Sequence, residues 1–135
     1  MTDLSIFCLS CADSKHVFVF GSNERGAHGR GAAAHAKHVH QAKTGVGYGL
    51  QGNSFGIPTK DSKIKTLPLS KIRKYVNQFI QFAKDNPNML FFVTQIGTGL
   101  AGYGHADIAP MFADAPENCI LSEKWKEIIN TSKDG

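Results

Sequence analysis

The sequence predicts an α/β domain, a sheet with helices on its faces. Three observations predict it. Two continuous apolar runs, Val17-Phe-Val-Phe20 and Leu90-Phe-Phe-Val93, have the β-branched and aromatic make-up of strands covered on both faces. Each run hands over to a glycine-rich stretch. Each stretch then leads into a helical segment, and strands that alternate with helices build a sheet flanked by helices.

Taken in order, Ser5 to Leu9 is short and apolar and is expected as a first strand. Val17 to Phe20 follows and breaks at Gly21-Ser-Asn-Glu-Arg-Gly-Ala-His-Gly-Arg-Gly31, four glycines in eleven residues. Ala32 to Ala42 reads as a helix, on the propensity of its alanines. Gly45 to Gly56 is glycine-rich again, and Ser54 to Ile57 is a brief strand expected to stop at Pro58. Ser70 to Asp85 is the clearest helix. Its Ile72, Val76, Phe79, Ile80 and Ala83 recur at spacings of three and four, with Lys71, Lys74, Asn77, Gln78, Gln81 and Lys84 opposite. Ser70 is the expected N-cap and Asn86-Pro87 the stop. Leu90 to Val93 runs into the second glycine loop, Gly97-Thr-Gly-Leu-Ala-Gly-Tyr-Gly104. A helix over about 107–114 is expected next, with Pro110 tolerated only in its first turn. Cys119 to Leu121 is a last strand. Ser122 then caps a helix with Trp125, Ile128 and Ile129 on one face, and residues 131–135 are expected to fray.

At 135 residues the chain is expected to be a single domain, and 41% hydrophobic content supplies a core. Charged residues make up 19%, too few for a disordered polyelectrolyte, and no apolar run approaches the roughly 18 residues of a membrane helix. The first 14 residues lack a basic leader, and three cysteines argue against an oxidised framework. Cys8-Leu-Ser-Cys11 has no second pair to complete a zinc site, and a turn-like Ala-Asp-Ser-Lys follows Cys11. Reduced structural cysteines and a cytoplasmic location are the expectation. Lys and Arg number 15 against 11 Asp and Glu, a net of +4 that allows an anionic ligand without demanding nucleic acid.

Fourteen glycines exceed the usual level of about 7%, and most of the excess lies in the two loops and the stretch between them. Both loops sit where a strand hands over to a helix. A helix start offers unpaired N–H groups, and glycine lets the backbone approach a phosphate closely. Two such loops suggest a diphosphate gripped from two sides. No Gly-Lys-Ser/Thr of a Walker loop occurs. Gly97-Thr-Gly-Leu-Ala-Gly102 matches GxGxxG but lies in the last third of the chain, where a dinucleotide fingerprint does not belong.

These residues resemble the macrodomains, a family that binds ADP-ribose. Phe20-Gly-Ser-Asn23 is similar to the family's Asn-Ala-Ala-Asn segment. Gly26-Ala-His-Gly-Arg-Gly-Ala-Ala-Ala-His35 is similar to its glycine stretch opening an alanine-rich helix. Gly47-Tyr-Gly-Leu50 before Phe55-Gly-Ile-Pro58 matches a Tyr-Asn-Leu segment leading into a strand. Gly97-Thr-Gly-Leu-Ala-Gly-Tyr103 is the most specific match, to a loop of the type Ser-Thr-Gly-Ile-Phe-Gly-Tyr. The order of elements agrees over about residues 16–130. The resemblance implies a three-layer α/β/α fold around a mixed sheet. It implies a ligand-binding set of Gly21, Ser22, Asn23, Gly26, Gly29, Arg30 and Gly31 in the first loop. In the second loop it implies Gly97, Thr98, Gly99, Leu100, Ala101, Gly102 and Tyr103. Asn23 would face the distal ribose, Gly97 to Gly102 would wrap the diphosphate, and Tyr103 would pack on the ribose. Two departures stand out: the Asp that many hydrolytic members carry in the first loop is missing, with Arg30 in that region, and Asp13 aligns only loosely with the acidic residue that reads adenine.

The function this implies is an ADP-ribose-binding protein that hydrolyses ADP-ribosylated or ADP-ribose-derived substrates, with no cofactor and no metal. Asn23 would orient ribose and water, and His28 is the histidine placed in the first loop to act as a base. A non-catalytic ADP-ribose reader is the first alternative, and an RNA- or nucleotide-binding module the second, against which the lack of an aromatic-basic stripe counts. His35, His38 and His40 are assigned to the first helix as solvated or packing residues, with 35 and 38 on one face. Asp61 is a candidate polar member or an ordinary turn aspartate. Lys60, Lys63 and Lys65 read as a solvated loop, and Tyr48 and Phe55 as core rather than an adenine stack.

Overall fold

The computed structural model describes residues 16–28, 31–40, 42–99 and 101–134. The expected first strand at Ser5 to Leu9, the Cys8/Cys11 pair and Asp13 lie outside the described residues. The elements in order are β1 (His16–Asn23), α1 (Gly31–Val39), β2 (Gly49–Gln51), β3 (Ser54–Lys60), α2 (Leu69–Asp85), β4 (Leu90–Val93), α3 (His105–Ile108), a 3-10 turn (Ala109–Phe112), β5 (Cys119–Ile120) and α4 (Glu123–Asp134). The strands form one mixed sheet in the order β2-β3-β1-β4-β5. β1 pairs in parallel with β3 and with β4, β4 in parallel with β5, and β2 antiparallel with β3.

Alternation along β1 divides the apolar residues between two clusters, as the two-residue period of a strand requires. Val17 and Val19 join Phe55, Ile57, Phe91 and Val93 in a large core that takes in Ile72, Val76, Phe79, Ile80 and Ala83 of α2, Met111 and Phe112, and Trp125 and Ile129 of α4. Phe20, with Phe18 partly buried beside it, packs instead with Ala33, Ala36 and Ala42. All five apolar positions foreseen on α2 are buried. Each large one contributes about 1.5–3 kcal/mol relative to exposure, which far outweighs the helix's intrinsic propensity.

Several expectations are corrected. β3 does not stop at Pro58 but runs to Lys60. Pro58 lies at the register shift between Ser22 and Asn23, where an irregular ladder tolerates a residue without an N–H. α2 is capped by Pro68 with no side-chain cap, so it begins before Ser70. The helix expected over 107–114 is instead α3 followed by a 3-10 turn with Pro110 in its first positions. α1 ends at Val39, which places His40 beyond it, and α4 continues to Asp134 through the expected tail. β4 is not covered on both faces: Phe92 is 41% exposed, and so is its Cα partner in β5, Ile120, at 39%. β2 was hidden in a glycine-rich stretch that offers few strand-forming side chains. Ser122 does cap α4, accepting the Trp125 N–H at 3.2 Å. Among the described residues no helix is long and apolar enough to cross a membrane.

Candidate functional site

The sheet order marks a switch point between β1 and β4. From β1 the chain passes to β3 on one side, and from β4 it passes to β5 on the other. Neighbouring parallel strands whose connections leave in opposite directions open a gap at their carboxyl ends, where ligands collect in open α/β sheets. The two glycine loops follow β1 and β4, so both border this gap. They meet at Gly21, where a Cβ would lie 3.5 Å from Ile96 Cβ and 3.6 Å from the Gly97 nitrogen.

The loops differ in how they are built. The first is closed by Asn23, whose Nδ2 donates to the Ala27 carbonyl at 2.8 Å while its Oδ1 accepts the Ala27 N–H at 3.0 Å. Residues 45–47 lie across it. The Gly45 N–H donates to the Gly26 carbonyl at 2.8 Å, and Ser22 Oγ donates to the Gly47 carbonyl. This contact is backbone on backbone. Gly26 has φ +79, and a Cβ there would meet Gly45 C at 2.4 Å; a Cβ on Gly47 would meet the Asn23 carbonyl oxygen at 2.1 Å. Gly26 and Gly47 are therefore required by packing within the protein.

The second loop stands open. Its frame is anchored by Thr98 Oγ1 donating to the Gln95 carbonyl at 2.7 Å, the Tyr103 N–H donating to the Gly97 carbonyl at 2.8 Å, and Thr66 Oγ1 donating to the Ala101 carbonyl at 3.2 Å. A Cβ at Gly99 or Gly102 would meet nothing within 4 Å among the described residues. Among the described residues the backbone N–H groups of Gly97, Gly99 and Ala101 have no hydrogen-bond acceptor. Unpaired, closely spaced N–H groups on a turn form the kind of concavity that holds an anion. The Tyr103 hydroxyl donates to the Leu67 carbonyl at 2.6 Å, which fixes its ring beside the loop.

His28 is buried at 4% exposure, with its ring edge-on to Phe20. Its Nε2 lies 3.0 Å from the Val46 carbonyl and 3.2 Å from Gln51 Oε1. Both neighbours accept, so Nε2 carries the proton and a neutral ring leaves Nδ1 as a lone pair. That atom is buried, with no hydrogen-bond partner among the described residues. Gln51 carries no motif or spacing that would single it out. Buried at 3%, it also accepts the Lys43 N–H at 2.8 Å and donates to the Val46 carbonyl at 2.9 Å, knitting residues 43–51 to His28.

Glu24, next in the chain, reaches α2. Tyr75 donates to Glu24 Oε2 at 2.5 Å and Lys71 Nζ pairs with the same oxygen at 3.0 Å. These two contacts hold the Glu24 carboxyl below its ordinary range, while burial and then the Glu24 contact push the Tyr75 hydroxyl up to about 12. Asp61 is a turn aspartate: Oδ1 accepts the Lys63 and Lys65 N–H groups at 2.8 and 3.0 Å, and these backbone bonds lower its pKa. Phe55 is core, and Tyr48 packs edge-on against it at 5.4 Å, both as expected. Cys119 is a free, buried thiol whose pKa is pushed up to about 12 by burial.

Of the candidate residues, the structure places Gly21 on β1 against Ile96 and Gly97, sets Gly97, Thr98, Gly99, Ala101, Gly102 and Tyr103 in the loop after β4, and opens α1 with Gly31. Ser22, Asn23, Gly26 and His28 are spent on or buried within the first loop. Gly29, Arg30 and Leu100 lie outside the described residues. Among the described residues no group of three or more His, Cys, Asp or Glu is placed to share a metal ion. Comparison with family models, curated proteins and solved structures finds no match to this chain.

Proposed function

We propose that the crevice between β1 and β4 binds ADP-ribose, with the second glycine loop receiving the diphosphate. One observation carries this reading: at the point where the sheet connections diverge, the backbone N–H groups of Gly97, Gly99 and Ala101 are unpaired among the described residues, and the loop is open at Gly99 and Gly102. Apolar clusters on opposite faces of the sheet support the accompanying macrodomain-like, three-layer reading. Calorimetric titration with ADP-ribose tests it. A Cβ at Gly99 meets nothing within 4 Å among the described residues, so Gly99→Glu is expected to fold normally and set a carboxylate against the diphosphate. Wild type should bind and the variant should lose affinity by about tenfold or more, a loss of about 1.4 kcal/mol or greater. No heat from wild type up to millimolar ligand, or equal binding by the variant, overturns the reading.

Turnover of an ADP-ribosylated substrate is the second reading, and it is favoured by the buried Nδ1 of His28, which has no hydrogen-bond partner among the described residues. Asn23 then shapes the loop rather than holding water, since both ends of its amide are committed to Ala27. Release of ADP-ribose from modified protein, compared between wild type and His28→Gln with folding followed by circular dichroism, separates hydrolase from reader. Release that is absent from wild type, or undiminished in a folded variant, leaves binding without catalysis by His28.

A further inference from the structure

Away from the crevice, two imidazoles meet. His35 lies on α1 and His40 one residue past its end, with their Nε2 atoms 3.2 Å apart. Neither ring is free to drift. The His40 ring is stacked on Phe18 at 4.3 Å and 11°, and the His35 ring stands edge-on to the same Phe18 at 5.1 Å and 63°. The backbone of His40 is pinned at both ends: its N–H donates to the Ala36 carbonyl at 2.9 Å, and its carbonyl accepts the Asn53 N–H at 3.0 Å. His40, assigned from the sequence to the first helix, lies beyond its end and turns back toward His35.

We propose that His35 and His40 form a two-imidazole site for a zinc-class dication, with water completing the coordination shell. At their 3.2 Å separation, an ion 2.0–2.1 Å from each Nε2 would see the two nitrogens at an angle of about 100°, close to tetrahedral, after a small turn of the rings from their hydrogen-bonded orientation. In the metal-free protein one ring donates Nε2–H to the other. On binding, that ring carries its proton on Nδ1 instead, so a neutral pair releases no net proton. The pair is exposed, so an ion reaches it from solution without opening the fold. Imidazole donors select zinc, copper or nickel over magnesium, which prefers oxygen. With two protein ligands the site is weaker than a four-ligand structural one. Its effect is local: the ion ties the last turns of α1 to the chain that follows.

Titration of the whole chain with Zn²⁺, with Mg²⁺ as control, tests this. Outer-shell partners alone are worth about 10–100-fold in metal affinity, so loss of a ligand should cost at least about tenfold. Zn²⁺ should bind one per chain and raise the melting temperature of wild type, while Mg²⁺ does neither. His35→Ala should abolish the Zn²⁺-dependent rise, and His38→Ala should keep it. Since His40 also packs on Phe18, its part is read in wild type: nitrogen-15 resonances of His35 and His40 should shift at Nε2 on Zn²⁺ addition. No Zn²⁺ response in wild type, an undiminished response in His35→Ala, or shifts at other histidines instead would overturn the proposal.

Discussion

Glu24 shows how much a single side chain here depends on residues far away in sequence. Its carboxylate is held by Tyr75 and Lys71, both on α2, and its pKa lies below the ordinary 4.5. A carboxyl depressed in the folded state contributes stability that is complete above its unfolded value and lost as pH falls through the folded value. The carboxylate of wild type should therefore stabilise the protein at pH 7 relative to Glu24→Gln, and that advantage should shrink as pH falls below 4.5. Urea midpoints of both proteins across pH 3 to 7 check this, and a gap that does not change with pH would refute it. Nothing local in the sequence pointed to this contact. Glu24 and Tyr75 stand 51 residues apart, and Gln51 stands 23 from His28. Contacts like these carry no periodicity, so a buried glutamine fixing a histidine tautomer leaves no pattern to read.

Elements were legible where burial imposes a period and obscure where a turn decides. The apolar face of α2 was readable to the residue, because five positions at helical spacing have one explanation. Its start was not. Pro68 and Ser70 are both start signals, and the proline's extended backbone took the cap while Ser70 entered the helix exposed. At α4 the serine does cap, through Oγ to the Trp125 N–H. These two sites make a paired prediction. Ser122→Ala should cost about 1 kcal/mol, whereas Ser70→Ala should fall within about 0.5 kcal/mol of wild type. Chemical denaturation of both variants measures the difference, and equal costs would show that the caps are misassigned. Pro110 had the same effect at smaller scale, splitting one expected helix into α3 and a 3-10 turn.

At the scale of the whole molecule, the two glycine loops were visible in the sequence, but their unequal roles were not. Composition cannot tell a glycine that admits another backbone from one that faces open space. Gly26 and Gly47 are of the first kind and Gly99 is of the second, and the distinction exists only once residues 45–47 lie across the first loop. If ADP-ribose occupies the crevice as proposed, this asymmetry should appear in hydrogen exchange. The amides of Gly97, Gly99 and Ala101, unpaired among the described residues, should slow on ligand addition. The Ala27 amide already donates to Asn23 Oδ1 and should change less. Ligand at 100 times its dissociation constant stabilises the fold by about 2.7 kcal/mol, or roughly 10 °C in melting temperature for a domain of this size. A melting rise with protection confined to the first loop would place the diphosphate on the wrong side of the crevice. Slowing across Gly97 to Ala101, with Ala27 unchanged, is the outcome that the open second loop requires.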